Sequence, residues 1–80
     1  MNKIIVNIHP DFLGTEADEQ YIAKYQKRAT EILSAEWDVV EFENVIAQKS
    51  WRYEADEEIS DEVGFWTQEA LERAYQEAEA

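Results

Sequence analysis

Apolar and polar positions along this chain follow two periods, one of strands and one of helices. "KIIVNIH", residues 3 to 9, is β-branched and apolar and stops at Pro10, the pattern of a buried strand. Residues 10 to 15, "PDFLGT", hold the only proline and one of the two glycines, and read as a loop. Thr15 or Asp18 is then placed to cap a helix in which Tyr21, Ile22, Tyr25, Ala29, Ile32 and Leu33 recur at helical spacing. That helix is expected over about residues 16 to 35, with Lys24, Lys27, Arg28 and Glu31 on its wet side.

The period changes in "WDVVEFENV", where Val40 and Phe42 alternate with Glu41 and Glu43 as in a half-exposed strand. "KSWRYEAD" alternates again, with Trp51, Tyr53 and Ala55 on one face and Arg52, Glu54 and Asp56 on the other. A hairpin through residues 44 to 49 would join these two strands, although "NVIAQKS" also fits a helical turn and no Asn-Gly or Asp-Gly marks it. The last segment, from Ser60 or Asp61 onward, is a helix with a stripe of Trp66, Ala70, Leu71, Ala74 and Tyr75. Gly64 weakens its first turn by about 1 kcal/mol relative to alanine. This moves the expected start of a well-formed helix to Thr67, a good cap residue.

The order strand, helix, strand, strand, helix predicts an α+β fold of type β-α-β-β-α. Its economical form is a three-stranded mixed sheet with two helices packed on one face. The crossover through the first helix makes the first two strands parallel and right-handed in connection. The hairpin makes the third antiparallel, and Glu41, Glu43, Glu54 and Asp56 then face water. With 80 residues the chain is read as one domain, residues 1–80.

Composition changes the picture in two ways. The chain is 45% hydrophobic, with three Trp, four Tyr and three Phe, so it is expected to fold despite its charge. Cysteine is absent, which removes disulfides and thiolate metal sites. "IIVNI" is too short to span a bilayer and lacks the flanks of a signal peptide, so a soluble, cytoplasmic protein is expected.

Charge is the strongest signal. Nineteen acids against seven bases give a net charge of −12, of which residues 41 to 80 carry −9 and residues 1 to 40 carry −3. Such a surface repels nucleic acid and anionic lipid and attracts basic protein surfaces. "EADEEISDEV", residues 54 to 63, places six carboxylates from Glu54 to Glu62 with no base among them.

Catalytic and metal patterns fail one by one. "IIVNIHPD" resembles the first strand of flavodoxin-like quinone reductases and of zinc deacetylases with an Ala-His-Pro-Asp-Asp-type motif. The resemblance covers about eight residues, Phe12 stands where the deacetylase motif has its next carboxylate, and both families need sheets about twice as long as this chain builds. His9 is therefore read as a strand-end histidine with a local hydrogen bond. No serine lies in a Gly-x-Ser-x-Gly elbow, and glycine only at 14 and 64 precludes a phosphate-cradling loop. As a calcium loop beginning at Asp56, the run offers Asp61 where glycine is needed and Thr67 where glutamate is needed. No enzyme activity, cofactor or metal is expected.

The spacing of the acids does point somewhere. In an extended chain Glu54, Asp56 and Glu58 stand about 6.5 to 7 Å apart. On a helix, Glu58 and Glu62 or Glu69 and Glu72 stand about 5 to 6 Å apart. Both intervals match the separation of successive phosphates, so a channel built for DNA would accept such carboxylates. A tiny, acidic, cysteine-free single domain resembles the inhibitors that phages and mobile elements deploy against restriction or CRISPR effector complexes. The resemblance spans the whole chain in size and character and carries no motif. It implies a DNA mimic that blocks the basic nucleic-acid site of a defence complex, without binding nucleic acid or membrane itself.

From the charge argument, the partner-binding residues are Glu41, Glu43, Glu54, Asp56, Glu57, Glu58, Asp61 and Glu62. Glu19, Glu31 and Glu36, among the bases of the first helix, serve as the contrast. The alternative is an acidic adaptor or antitoxin-like module that uses Trp51, Trp66 or Tyr75 as aromatic anchors.

Overall fold

The computed structural model describes residues 1–14, 18–46 and 49–79. Six elements follow one another: β1 (Lys3–Asn7), α1 (Pro10–Leu13), α2 (Glu19–Leu33), β2 (Val39–Glu43), β3 (Trp51–Glu54) and α3 (Asp61–Glu79). The class is α+β with a three-stranded mixed sheet, as the sequence predicts, and α2 and α3 cover one face of it.

The strand order is β2-β1-β3, with β2 parallel and β3 antiparallel to β1. The third strand has the expected direction but the wrong neighbour: β2 and β3 never pair, so the hairpin does not form. Residues 47 and 48 of the anticipated connection lie outside the described residues, and residues 44–46 take neither helix nor strand. The reason is in the side chains. Ile4, Ile5 and Val6 make β1 the most apolar strand, and it takes the centre, where all three are buried. β2 and β3 carry Glu41, Glu43, Arg52 and Glu54 and take the edges, where charge is tolerated and unwanted pairing is discouraged. With β1 between them, Lys3 reaches Glu41 at 3.4 Å and Glu54 at 3.3 Å.

The ladder sorts the two faces of the sheet. Ile4 aligns with Val40 and Tyr53, and Val6 with Phe42 and Trp51, and these six face the helices. Ile5 lies on the open face yet is only 4% exposed. It is flanked in register by Glu41 and Arg52, whose aliphatic stems shield it. On that face Arg52 also grips both oxygens of Glu43, at 3.1 and 3.2 Å.

At the far end of β1 the expected loop is instead one helical turn. His9 is its cap: its Nδ1 accepts from the Asp11 N–H at 3.1 Å, the local hydrogen bond anticipated for it. The turn closes at Gly14, whose φ of 92° is open to glycine at no steric cost. Asn7, 2% exposed, ties this region together by donating to the Val45 carbonyl at 2.7 Å while its Oδ1 accepts from the His9 N–H at 2.9 Å.

Asp18 caps α2 by accepting from the Tyr21 N–H at 2.8 Å; the other candidate cap, Thr15, lies outside the described residues. The helix buries Tyr25, Ala29 and Leu33. Opposite them α3 buries Thr67, Ala70, Leu71, Ala74 and Ala78, a stripe at helical spacing. Alanines at 29 and 74, both 0% exposed, let the two helix backbones approach closely. The last helix begins at Asp61, not at Thr67: the Ser60 hydroxyl accepts from the Val63 N–H, and the Ser60 carbonyl takes the Gly64 N–H at 3.0 Å. Gly64 is absorbed within an already capped first turn, and Thr67 is an interior residue. Among the described residues, no helix is long and apolar enough to cross a membrane.

Candidate partner-binding surface

Strand directions gather the acids at one pole. Lys3 stands in register with both Val39 and Glu54, so β1 and β2 start where β3 ends. There α2 also ends and α3 begins, since Trp37, just after α2, reaches Thr67 in α3. The pole therefore collects Glu36, Asp38, Glu54, Asp56, Glu57, Glu58, Asp61 and Glu62, all exposed. The cations set against these carboxylates are Lys3, Arg52 and the Met1 amine.

Six of the eight sequence-selected residues meet here: Glu54, Asp56, Glu57, Glu58, Asp61 and Glu62. They differ in availability. Glu54 is shared with Lys3 and, at 3.7 Å, with Arg52. Asp56 accepts from the Met1 amine at 2.8 Å, and that hydrogen bond together with the amine's charge holds its carboxyl below the usual carboxylate range. Lys3 is pushed above the usual lysine range, first by its hydrogen bond to Glu54 and then by the charge of Glu41. Glu57, Glu58, Asp61 and Glu62 make no ion pair among the described residues. The first turn of α3 is a favourable place for Asp61 and Glu62, because the partial positive charge of a helix N-terminus offsets their repulsion.

Glu41 borders the pole, since it shares the Lys3 ammonium with Glu54, and Glu43 stands farther along β2. They lie on the open sheet face, one strand removed from β3, and are held by Lys3 and Arg52. The hairpin expected to set them beside the cluster does not form; Glu41 reaches it through Lys3 instead, and Glu43 is held by Arg52. The regular spacing is also local only. β3 ends at Glu54, residues 55–60 form neither strand nor helix, and Glu58 precedes α3, so the phosphate-like intervals do not run through the cluster. Glu69 and Glu72 do share a helix, one turn apart.

Sequence reasoning placed Glu36 with the first helix as a contrast residue and did not consider Asp38. Both belong to the pole. The available signal was the crossover rule, which sets the start of the second strand beside the start of the first. Glu36, Asp56, Glu57 and Glu58 rim a hollow of about 430 Å³ whose floor includes Trp37, Ile59 and Val63. The shape suits a cationic side chain, with charge at the rim and apolar surface below.

The proposed aromatic anchors are engaged internally. Trp51 is half-buried, donates to Gln68 at 3.3 Å and stands edge-on to Trp37 at 6.3 Å. Tyr75 packs edge-on against Tyr21 at 5.8 Å, and Trp66 is half-buried against the core. Phe65 is instead the exposed ring, 74% accessible on α3. The stripe through Trp66, Ala70 and Ala74 already placed it about 100° away from the buried side, from the 3.6-residue period. Among the described residues no group of three acids or histidines is placed to hold a metal ion. No family model matches the chain, and no similar curated protein or solved structure was found.

Proposed function

We propose that the protein is a non-enzymatic acidic binding domain that occupies the basic nucleic-acid-binding surface of a partner complex. It stands in for the phosphate backbone and so inhibits a defence system of the CRISPR or restriction kind. The observation that carries this reading is the pole: eight exposed carboxylates drawn from two distant segments, six of them without an ion-pair partner among the described residues. A field of one sign concentrated on one end steers a cationic groove onto that end and releases the counterions held by both. Glu57, Glu58, Asp61 and Glu62 would make the contacts, Glu36 and Asp38 would extend them, and Glu54 and Asp56 would contribute after surrendering their present partners. Glu41 and Glu43 keep a lesser part, since their charge is already met on the sheet face.

The test is a competition. A restriction or CRISPR effector complex bound to a labelled duplex is titrated with this protein at rising salt. Displacement that weakens steeply between about 50 and 200 mM salt supports the reading. A stable ternary complex with the duplex undisturbed, or binding of the duplex by the protein alone, refutes it. The adaptor reading keeps one observation in its favour, the exposed ring of Phe65.

A further inference from the structure

Phe65 is the single exposed aromatic among the described residues, and the only exposed large apolar residue lying within a helix or strand; Met1, Val45 and Ile46 lie outside them. A ring held on a helix loses little freedom when it is covered, which is what a binding anchor needs. On the helix surface its neighbours three and four positions away are Asp61, Glu62, Gln68 and Glu69. Three of those four are carboxylates. Beside the ring lies a hollow of about 370 Å³ bounded by Trp51, Ile59, Ser60, Gly64 and Gln68. Beyond its chain neighbours and the backbone of its own helix, no heavy atom lies within 4 Å of where a Cβ on Gly64 would sit, and its φ is not positive, so neither crowding nor conformation demands glycine there. Its bare backbone leaves the flank of Phe65 open.

We infer that the first two turns of α3 are a docking surface for an arginine-bearing basic segment of the partner, with a guanidinium stacked on Phe65. Charge complementarity selects this occupant. An apolar partner covering Phe65 would strip water from Asp61, Glu62 and Glu69 and give nothing in return. An arginine satisfies both demands: its plane stacks on the ring while its N–H fork pairs with a carboxylate one turn away. Its stem fits along the hollow beside Gly64. Lysine offers a point charge without the plane and gains less. The inference rests on the partner being basic, and it adds where the partner's side chains insert and which side chain they are.

Fluorescein-labelled arginine-only and lysine-only peptides of equal length are titrated with the wild-type protein and with Phe65→Ala, followed by anisotropy. Wild type binds the arginine peptide about two- to fivefold more tightly than the lysine peptide. Phe65→Ala removes that difference without lowering the melting temperature, and Phe65→Tyr retains it. Equal binding of both peptides by wild type, or an arginine preference that survives in Phe65→Ala, overturns the inference. The two proposals fail separately. A Phe65-dependent arginine preference without displacement of duplex refutes DNA mimicry and leaves this surface standing, whereas displacement without the preference does the reverse.

Discussion

Trp37 donates its indole N–H to the hydroxyl of Thr67 at 3.1 Å, and the two residues are 2% and 0% exposed. This bond fastens the turn after α2 to the second turn of α3, directly beneath the acidic pole. Thr67→Val preserves the shape and removes the acceptor, leaving a buried donor unpaired. The expected loss is about 1–3 kcal/mol. In a domain of this size each kcal/mol lowers the melting temperature by about 4–8 °C. A melting temperature within about 2 °C of wild type, half the smallest shift expected, would contradict the bond's role.

Gly64→Ala should stabilise the protein. Alanine is favoured over glycine inside a helix by about 1 kcal/mol, and the added methyl meets no atom beyond its chain neighbours and the backbone of its own helix. Urea denaturation should show a higher midpoint with unchanged slope. A lower midpoint would mean that the helix begins after residue 64.

The triple reversal Glu36→Lys, Glu57→Lys, Glu58→Lys changes the net charge from −12 to −6 and strips three carboxylates from the hollow's rim. Reversal at Glu19, Glu72 and Glu79, away from the pole, changes the charge equally. The first variant should lose at least about tenfold in affinity for a basic peptide, and the control about threefold or less, since only the first alters the concentrated field. Equal losses would leave net charge as the sole determinant. Neither variant should unfold, because exposed like charges contribute little when removed.

Alkaline pH should destabilise the protein, in part through Tyr25. Burial pushes its hydroxyl up to about 12, above the ordinary tyrosine value of 10.0. Between those values the unfolded chain has released the proton and the folded chain has kept it. Stability therefore falls as pH rises, at about 1.4 kcal/mol per pH unit for this group. Tyr25→Phe should flatten that limb of a pH–stability curve.

On the acid side the sign reverses. Arg28, first by its hydrogen bond and then by its charge, holds Glu77 below the usual carboxylate range, and Arg73 adds to this. The stabilisation is present above the unfolded value and is lost as pH falls through the lower, folded one. Arg28→Gln should make the acid limb shallower, as read by denaturation at stepped pH.

The apolar periods alone revealed the class, the two long helices and the inward faces of β2 and β3. Val40 and Phe42, Tyr25 and Leu33, Leu71 and Ala74 all lie where their spacing puts them. Strand order was less legible, because adjacency in the chain favours a hairpin, while the deciding fact was a comparison between strands: β1 has three consecutive apolar residues and its rivals have none. Proline and glycine at 10 and 14 marked a break, but an Nδ1 cap from His9 makes a helical turn there. For the surface, the run from Glu54 to Glu62 was plain in one dimension. Glu36 and Asp38 joined it only through the parallel pairing of β2, and Phe65 was hidden by its neighbour Trp66, which carries the buried stripe.

The central position of β1 has a consequence for how the chain reaches its fold. Lys3 pairs with Val39 on one side and with Glu54 on the other, so no strand has a partner nearby in sequence. Without a hairpin, the sheet forms only by closing long loops, and topologies dominated by distant pairings fold more slowly than those that begin from local contacts. During synthesis β1 emerges well before either partner and stays uncovered until β3 and α3 have followed. "KIIVN" is the segment most in need of protection over that interval, and the surplus of negative charge elsewhere on the chain holds nascent copies apart while it waits.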